Sequence, residues 1–240
     1  HGPQSLKPFV FAPREPLLQI ERSTDGFSAR PTLPQPEKVA VIGARACDLA
    51  GLATQDQIFL NSAYRDPYYA ARREGLFLVA VNCTRALSNC FCASMETGPR
   101  AKHGFDLVLT EVDNHLLIEA GSTVGHEILA NLPFTRASEE QIAEANTRVD
   151  ACAQSQVRRL DHSRLPQALY DAHEHPRWDE VAGRCLACTN CTMVCPTCFC
   201  HAVEETPDLS HQQTTHTRLW DSCFTQEHGY IHGKNIRPTI

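Results

Sequence analysis

Apolar and polar positions fall into blocks that predict strands and helices in turn. Lys38-Val-Ala-Val-Ile42 and Leu76 to Val81 are compact apolar runs. Runs this short, bounded by polar residues or glycine, suit strands, and the second suits a buried one. Between them, Asp48 to about Leu60 has the length of a helix. Asp66-Pro67 supplies an N-cap and a first-turn proline for a short helix through Arg73. Strand, helix, helix, strand predicts an α/β layer with the two strands parallel. Phe105 to Val112 and His115 to Glu119 flank Asp113-Asn114, which reads as a hairpin turn. A helix over about 123–131 follows. Ser138 with Gln141 makes a capping box that opens a polar helix to about Arg158.

The ends of the chain read differently. Residues 1–37 carry Pro3, Pro8, Pro13, Pro16, Pro31, Pro34 and Pro36, which predict an extended leader with strands at Phe9-Val-Phe11 and Leu17-Leu-Gln-Ile20. Residues 162–175 read as a linker with a short helix from Pro166, and Trp178 to Val181 leads into a cysteine-rich stretch. The expected architecture is an α/β (or α+β) N-terminal domain with a parallel strand pair over 1–135. A helical linker over 136–182 and an α-helical ferredoxin-like region over 183–240 complete it.

Composition narrows the chemistry. With 240 residues, 42% hydrophobic and 21% charged, the chain has the make-up of an ordinary globular protein. Its net charge of −6 leaves no basic footprint, so nucleic acid is not an expected partner. No run reaches the roughly 18 apolar residues of a membrane span. Twelve cysteines, clustered rather than spread, point to metal ligation in a reducing, cytoplasmic setting rather than to a disulfide lattice.

Cys185-Leu-Ala-Cys188-Thr-Asn-Cys191-Thr-Met-Val-Cys195-Pro196 has the spacing C-x2-C-x2-C-x3-C-P. With this spacing bacterial-type ferredoxins hold [4Fe–4S] cubes: three close thiolates serve one cluster and the fourth, before proline, turns to another. A zinc site needs two ligand pairs set apart by a longer loop, which this run lacks. A zinc or cysteine-rich interaction module without redox function is the rival reading.

Cys47, Cys83, Cys90 and Cys92 form a second candidate set. Cys47 and Cys83 each follow an apolar strand, and parallel pairing would bring both out at one carboxyl edge, where α/β folds gather ligands. The alternative is that these cysteines are small buried hydrophobes. Cys198, Cys200 and Cys223 could complete a cluster or pack around one, and Cys152 reads as a core residue. Most of the twelve histidines read as surface or loop residues, Arg72-Arg73 and Arg100-Ala-Lys102 as solvated faces, and Tyr64, Tyr68 and Tyr69 as core. No nucleophile backed by a base, and no HExxH, GxSxG, Walker or GxGxxG motif, nominates a catalytic residue.

Taken in order, Gly43-Ala-Arg-Ala-Cys-Asp48, Asp66-Pro-Tyr-Tyr69 with Arg72-Arg-Glu74, Asn82-Cys83 and Cys90-Phe-Cys92 are familiar. So are Thr97-Gly-Pro99, Gly104-Phe-Asp-Leu107, Cys195-Pro-Thr-Cys-Phe-Cys200 and Trp220-Asp-Ser-Cys223. The chain resembles the iron–sulfur beta subunit of cytoplasmic NiFe hydrogenases of the sulfhydrogenase type, and equally the related iron–sulfur subunit of anaerobic sulfite reductase. The resemblance implies a non-catalytic electron-transfer subunit with [4Fe–4S] clusters. Its partners would be a flavin-bearing, NAD(P)H-reacting subunit and a catalytic hydrogenase pair, or a sirohaem sulfite reductase subunit. It implies that Cys47, Cys83, Cys90 and Cys92 are one cluster site, and that Cys185, Cys188 and Cys191 hold one cube of a dicluster module. Members of the family continue into a second CxxCxxC run. This chain opens on His1 rather than Met and stops at Ile240, so a fragment is expected.

Overall fold

A computed structural model describes residues 5–35, 37–237 and 239. Pro3 and Pro36 of the predicted leader, like His1 and Ile240, lie outside the described residues. The chain begins with α1 (Lys7–Val10), β1 (Arg14–Ser23), β2 (Gly26–Pro31), β3 (Val39–Arg45), α2 (Ala46–Phe59), α3 (Pro67–Glu74) and β4 (Leu76–Asn82). It continues with β5 (Leu107–Val112), β6 (His115–Ala120), α4 (Thr123–Ala130), α5 (Glu139–Gln154), α6 (Leu165–Asp171) and α7 (Arg177–Ala182). It closes with α8 (Asn190–Val194), β7 (His201–Pro207), β8 (Gln213–Trp220), β9 (Tyr230–Ile231) and β10 (Lys234–Asn235). Among the described residues, no helix is long and apolar enough to cross a membrane.

Two compact units divide these elements, and neither follows chain order. The first comprises 1–37, 55–74 and 174–240; the second comprises 38–54 and 75–173. Divisions at 135 and 182, expected from the sequence, assume that each domain is one continuous stretch.

In the second unit the sheet order is β3-β4-β5-β6, with β3, β4 and β5 parallel and β6 antiparallel at the edge. β4 is buried along nearly its whole length, the pattern of a strand covered on both faces. The parallel pair predicted from the two apolar runs is present, with Val39 opposite Leu76. Its register slips between Ile42 and Ala44, and Gly43 sits there at φ +96°, a left-handed conformation that glycine takes without a Cβ clash. This bulge re-aims the strand end that leads into α2. The β5–β6 hairpin and the helix α4 are also present as the sequence predicts. Ser138 and Gln141 complete the capping box of α5 in both directions. Cys152, on α5, is buried as expected.

In the first unit an antiparallel sheet of order β2-β1-β8-β7 joins the start of the chain to its end, with β1 against β8 from Arg14–Leu219 to Glu21–Gln213. The leader is therefore a sheet component. Its predicted strand Phe9-Val-Phe11 is instead the turn of α1: Pro8 presets the first helical turn, and Val10 and Phe11 are fully buried. Phe11 stacks on Phe59 at 5.2 Å and on Trp220 at 6.3 Å, and Phe59 stacks on Tyr69 at 4.9 Å. Asp66 caps α3, accepting from the amides of Tyr68 and Tyr69 at 2.8 and 2.9 Å, and it also pairs with the buried Arg218.

Three further sequence expectations change here. Tyr64 is 89% exposed rather than core, although Tyr69 is fully buried. Arg72 and Arg73 do not form a solvated face. Arg72 grips the buried Glu15 through two bonds of 2.7 and 3.0 Å, and Arg73 pairs with Asp56. Among its described residues the region 183–240, expected to be helical, holds one five-residue α-helix, a single 3-10 turn and four strands. The physical cause is visible at 213–217: Gln213-Thr-Thr-His-Thr217 is rich in β-branched residues, whose stiff side chains favour the extended backbone.

Candidate metal centres

In the second unit, β3 and β4 deliver Cys47 and Cys83 to the carboxyl edge of the sheet, as parallel pairing requires. Cys47 stands in the first turn of α2. Beside it, the Asp48 carboxylate accepts from the Arg45 amide at 3.0 Å and from the Arg45 guanidinium at 2.7 and 3.0 Å. The guanidinium is thereby fixed next to the thiols of Cys47 and Cys83. Asn82, buried just before Cys83, donates to Thr110 Oγ1 at 2.9 Å and accepts from the Ala101 amide at 2.8 Å. The Cys83 amide donates to Pro99 O at 3.2 Å. These bonds close the base of the loop that carries Cys90 and Cys92.

That loop turns back on itself. The Cys90 amide donates to Leu87 O at 3.0 Å, and the Thr97 amide to Cys92 O at 3.0 Å. Gly98 packs against Cys92: a Cβ there would stand 3.0 Å from Cys92 Sγ and 3.2 Å from Ala46 Cβ. Sequence reasoning missed Gln156. This side chain, just past the end of α5, is buried; its Nε2 donates to Cys92 Sγ at 3.3 Å and its Oε1 accepts from the Ala93 amide at 3.0 Å. No sequence motif flags a lone glutamine after a helix.

The electrostatics report which thiols share a neighbourhood. Burial, then Asp48, pushes the Cys47 thiol up to about 11 against the pull of Arg45, and Cys92 and Cys83 add to the rise. Burial, then Cys152 and Cys92, pushes Cys83 up to about 11, with Arg45 opposing and Cys90 contributing. Burial raises Cys152 too, followed by Cys92 and Cys90. Thiols that raise one another in this way are neutral on their own, and a cation among them reverses the preference toward thiolate.

In the first unit, the run from Cys185 to Cys195 is wound by two left-handed residues, Ala187 at φ 51° and Thr189 at φ 61°. A β-branched residue rarely adopts this backbone, which costs on the order of 1–3 kcal/mol and concentrates at functional sites. Left-handed residues of this kind are the building blocks of the backbone "nest" that receives anions and iron–sulfur groups. The Ala187 amide already donates to Cys185 Sγ at 3.4 Å. Cys188 and Cys191 are exposed and Cys185 is half-buried. Pro196 ends α8 as predicted, with Cys195 extended at the C-cap. Buried Gln55 clamps the next turn, donating to Pro196 O and Cys198 O at 3.3 Å each. Cys198 and Cys200 lie close enough for their thiols to interact directly. Cys223, half-buried, follows β8.

Among the described residues, no three His, Cys, Asp or Glu side chains are already closed into a metal-holding group. The donor sets nevertheless fit an iron–sulfur cluster: they are thiols throughout, soft ligands backed by amide donors at Cys92 and Cys185. Cys47, Cys83, Cys90 and Cys92 could hold one such group, and Cys185, Cys188, Cys191 and Cys195 the ferredoxin-type ones.

Comparison with known proteins agrees with this donor chemistry. Residues 184–240 match the family model of the 4Fe-4S dicluster domain. Over 240 residues the chain is 32% identical to sulfhydrogenase 2 subunit beta of Pyrococcus furiosus, an alignment covering 97% of this chain and 68% of that protein. No solved structure matches.

Proposed function

As this chain belongs to the family of iron–sulfur beta subunits of hydrogenases, we propose that it relays electrons between a flavin-bearing, NAD(P)H-reacting subunit and a catalytic hydrogenase partner. Its cofactors are [4Fe–4S] clusters. When bound, such a cluster supplies reversible one-electron oxidation and reduction. The chain's own residues supply the rest. Cys185, Cys188 and Cys191, with Cys195 turned away by Pro196, hold the ferredoxin-type site. Cys47, Cys83, Cys90 and Cys92 hold another. Arg45 and Gln156 set the charge and hydrogen bonding around that second set, and the loop closed by Asn82 limits its access to water.

The observation that carries this reading is the cysteine run wound by left-handed Ala187 and Thr189, inside the stretch that matches a dicluster domain. The test is electron delivery. The chain is reconstituted anaerobically with iron and sulfide, then mixed with a hydrogen-fed hydrogenase pair. Its charge-transfer absorption should bleach, and adding the flavin-bearing partner with NAD(P)+ should restore it. A chain that stays oxidised beside an active hydrogenase, yet accepts electrons from a small viologen, would defeat the relay.

Gln156 offers a finer check. Gln156→Leu removes the amide that donates to Cys92 Sγ and leaves a side chain of similar size. Losing a donor to a ligand sulfur destabilises the reduced state. The cluster assigned to the N-terminal thiols should therefore titrate at a more negative potential, with iron content unchanged. Redox titration followed by electron paramagnetic resonance reads this directly. An unaltered potential would place Cys92 outside the ligand set.

A further inference from the structure

Lys7 lies in α1 and is 3% exposed, a burial that an ammonium group tolerates only with partners. Its Nζ donates to Thr192 O at 2.8 Å and stands 3.9 Å from the centroid of the Trp220 ring. Thr192 immediately follows Cys191 in α8, and Trp220 begins the segment that ends at Cys223. The ammonium thus ties together two of the cysteine-bearing segments of the first unit. Both direct partners are uncharged. Burial pulls its proton affinity below the ordinary lysine value, and Cys198, Cys195 and Cys200 oppose this. A buried positive charge thus stands one residue from Cys191 and against the ring at the head of the segment that ends at Cys223.

We propose that Lys7 is a potential-setting residue of the C-terminal cluster region, its buried ammonium being the fixed positive charge beside the thiolates of residues 191–200. The inference rests on the reading that these cysteines hold [4Fe–4S] clusters. Each electron accepted there adds a negative charge to an already anionic thiolate assembly. A cation held nearby in a dry interior stabilises the added charge more than the starting one, and so raises the reduction potential. Its position is fixed by the bond to Thr192 O and by the Trp220 ring, and the Gln55 clamp separately holds the turn from Pro196 to Cys198.

The test compares Lys7→Met, which keeps the stem and removes the charge, with Lys7→Arg, which keeps the charge. Both are made in the 240-residue chain reconstituted anaerobically. The signals to follow are those that vanish in Cys188→Ser or Cys195→Ser. In Lys7→Met they should titrate lower by at least a tenfold change in the oxidised-to-reduced ratio, about 59 mV for a one-electron couple. In Lys7→Arg they should stay near the unmodified chain. Iron lost from Lys7→Met but retained by Lys7→Arg would equally support a charge requirement. Unchanged potentials in Lys7→Met with iron retained would overturn the inference, as would equal shifts or equal iron loss in both variants. Those results leave the cluster reading intact. An unmodified chain that takes up no iron at these cysteines defeats that reading, and the inference with it.

Discussion

Cys188→Ser should bleach the ferredoxin-type site while iron remains at Cys47, Cys83, Cys90 and Cys92. Serine is nearly isosteric, but its hydroxyl is a harder ligand that stays protonated at neutral pH, so the exchange removes a bond to iron without disturbing packing. Cys188 is exposed, so its loss opens no cavity in the core. It lies between Ala187 and Thr189, the two left-handed residues that wind the run. Removing one of three closely spaced ligands should therefore release the whole cube, about four iron atoms per chain. The spared iron is as informative as the lost iron. Cys188 belongs to the first unit and the other four thiols to the second. Iron and acid-labile sulfide counts on the purified variant decide the matter, and a variant stripped of all its iron would show that the two sites are not independent.

Cys83→Ser is the mirror experiment and should lower iron by a similar amount. Cys83 extends from β4, the most buried strand of its sheet, and its amide is tied to Pro99. Its thiol interacts with those of Cys152, Cys92 and Cys90 and with the Arg45 guanidinium. A serine at this half-buried position should leave the fold standing, because the pin at Asn82 is untouched. The far-ultraviolet circular dichroism should accordingly match the unmodified chain while iron per chain falls. If iron stays constant, the quartet consists of ordinary packing residues and the chain carries its clusters at the C-terminal run alone.

Elements with a strong local signal were legible in the sequence. The parallel strands, the Asp66 and Ser138 caps, the Asp113-Asn114 hairpin and the proline stop after α8 all follow from patterns a few residues long. The convergence of Cys47 with Cys83 followed from one topological rule, that consecutive parallel strands expose the same edge. What stayed hidden depends on distant pairing. Nothing near Leu17 announces that β1 will lie against β8, about two hundred residues later, so a proline-rich stretch reads as a leader. Arg72 and Arg73 look solvated until Glu15 and Asp56 are brought beside them. Gln156, Gln55 and Lys7 share this character: each is an ordinary polar residue locally, and each acquires its role from a cysteine segment far along the chain.

The pairing of β1 with β8 also sets an order of assembly. The nascent chain releases the whole second unit once residue 173 has left the ribosome, whereas the opening hairpin must wait for the sheet partner that ends at Trp220. Cys47, Cys83, Cys90 and Cys92, the quartet proposed as a cluster site, thus all emerge with the unit that is released first. The ferredoxin-type run lies between these two pairing strands in the sequence, so metal loading there should follow the closure of β1 on β8.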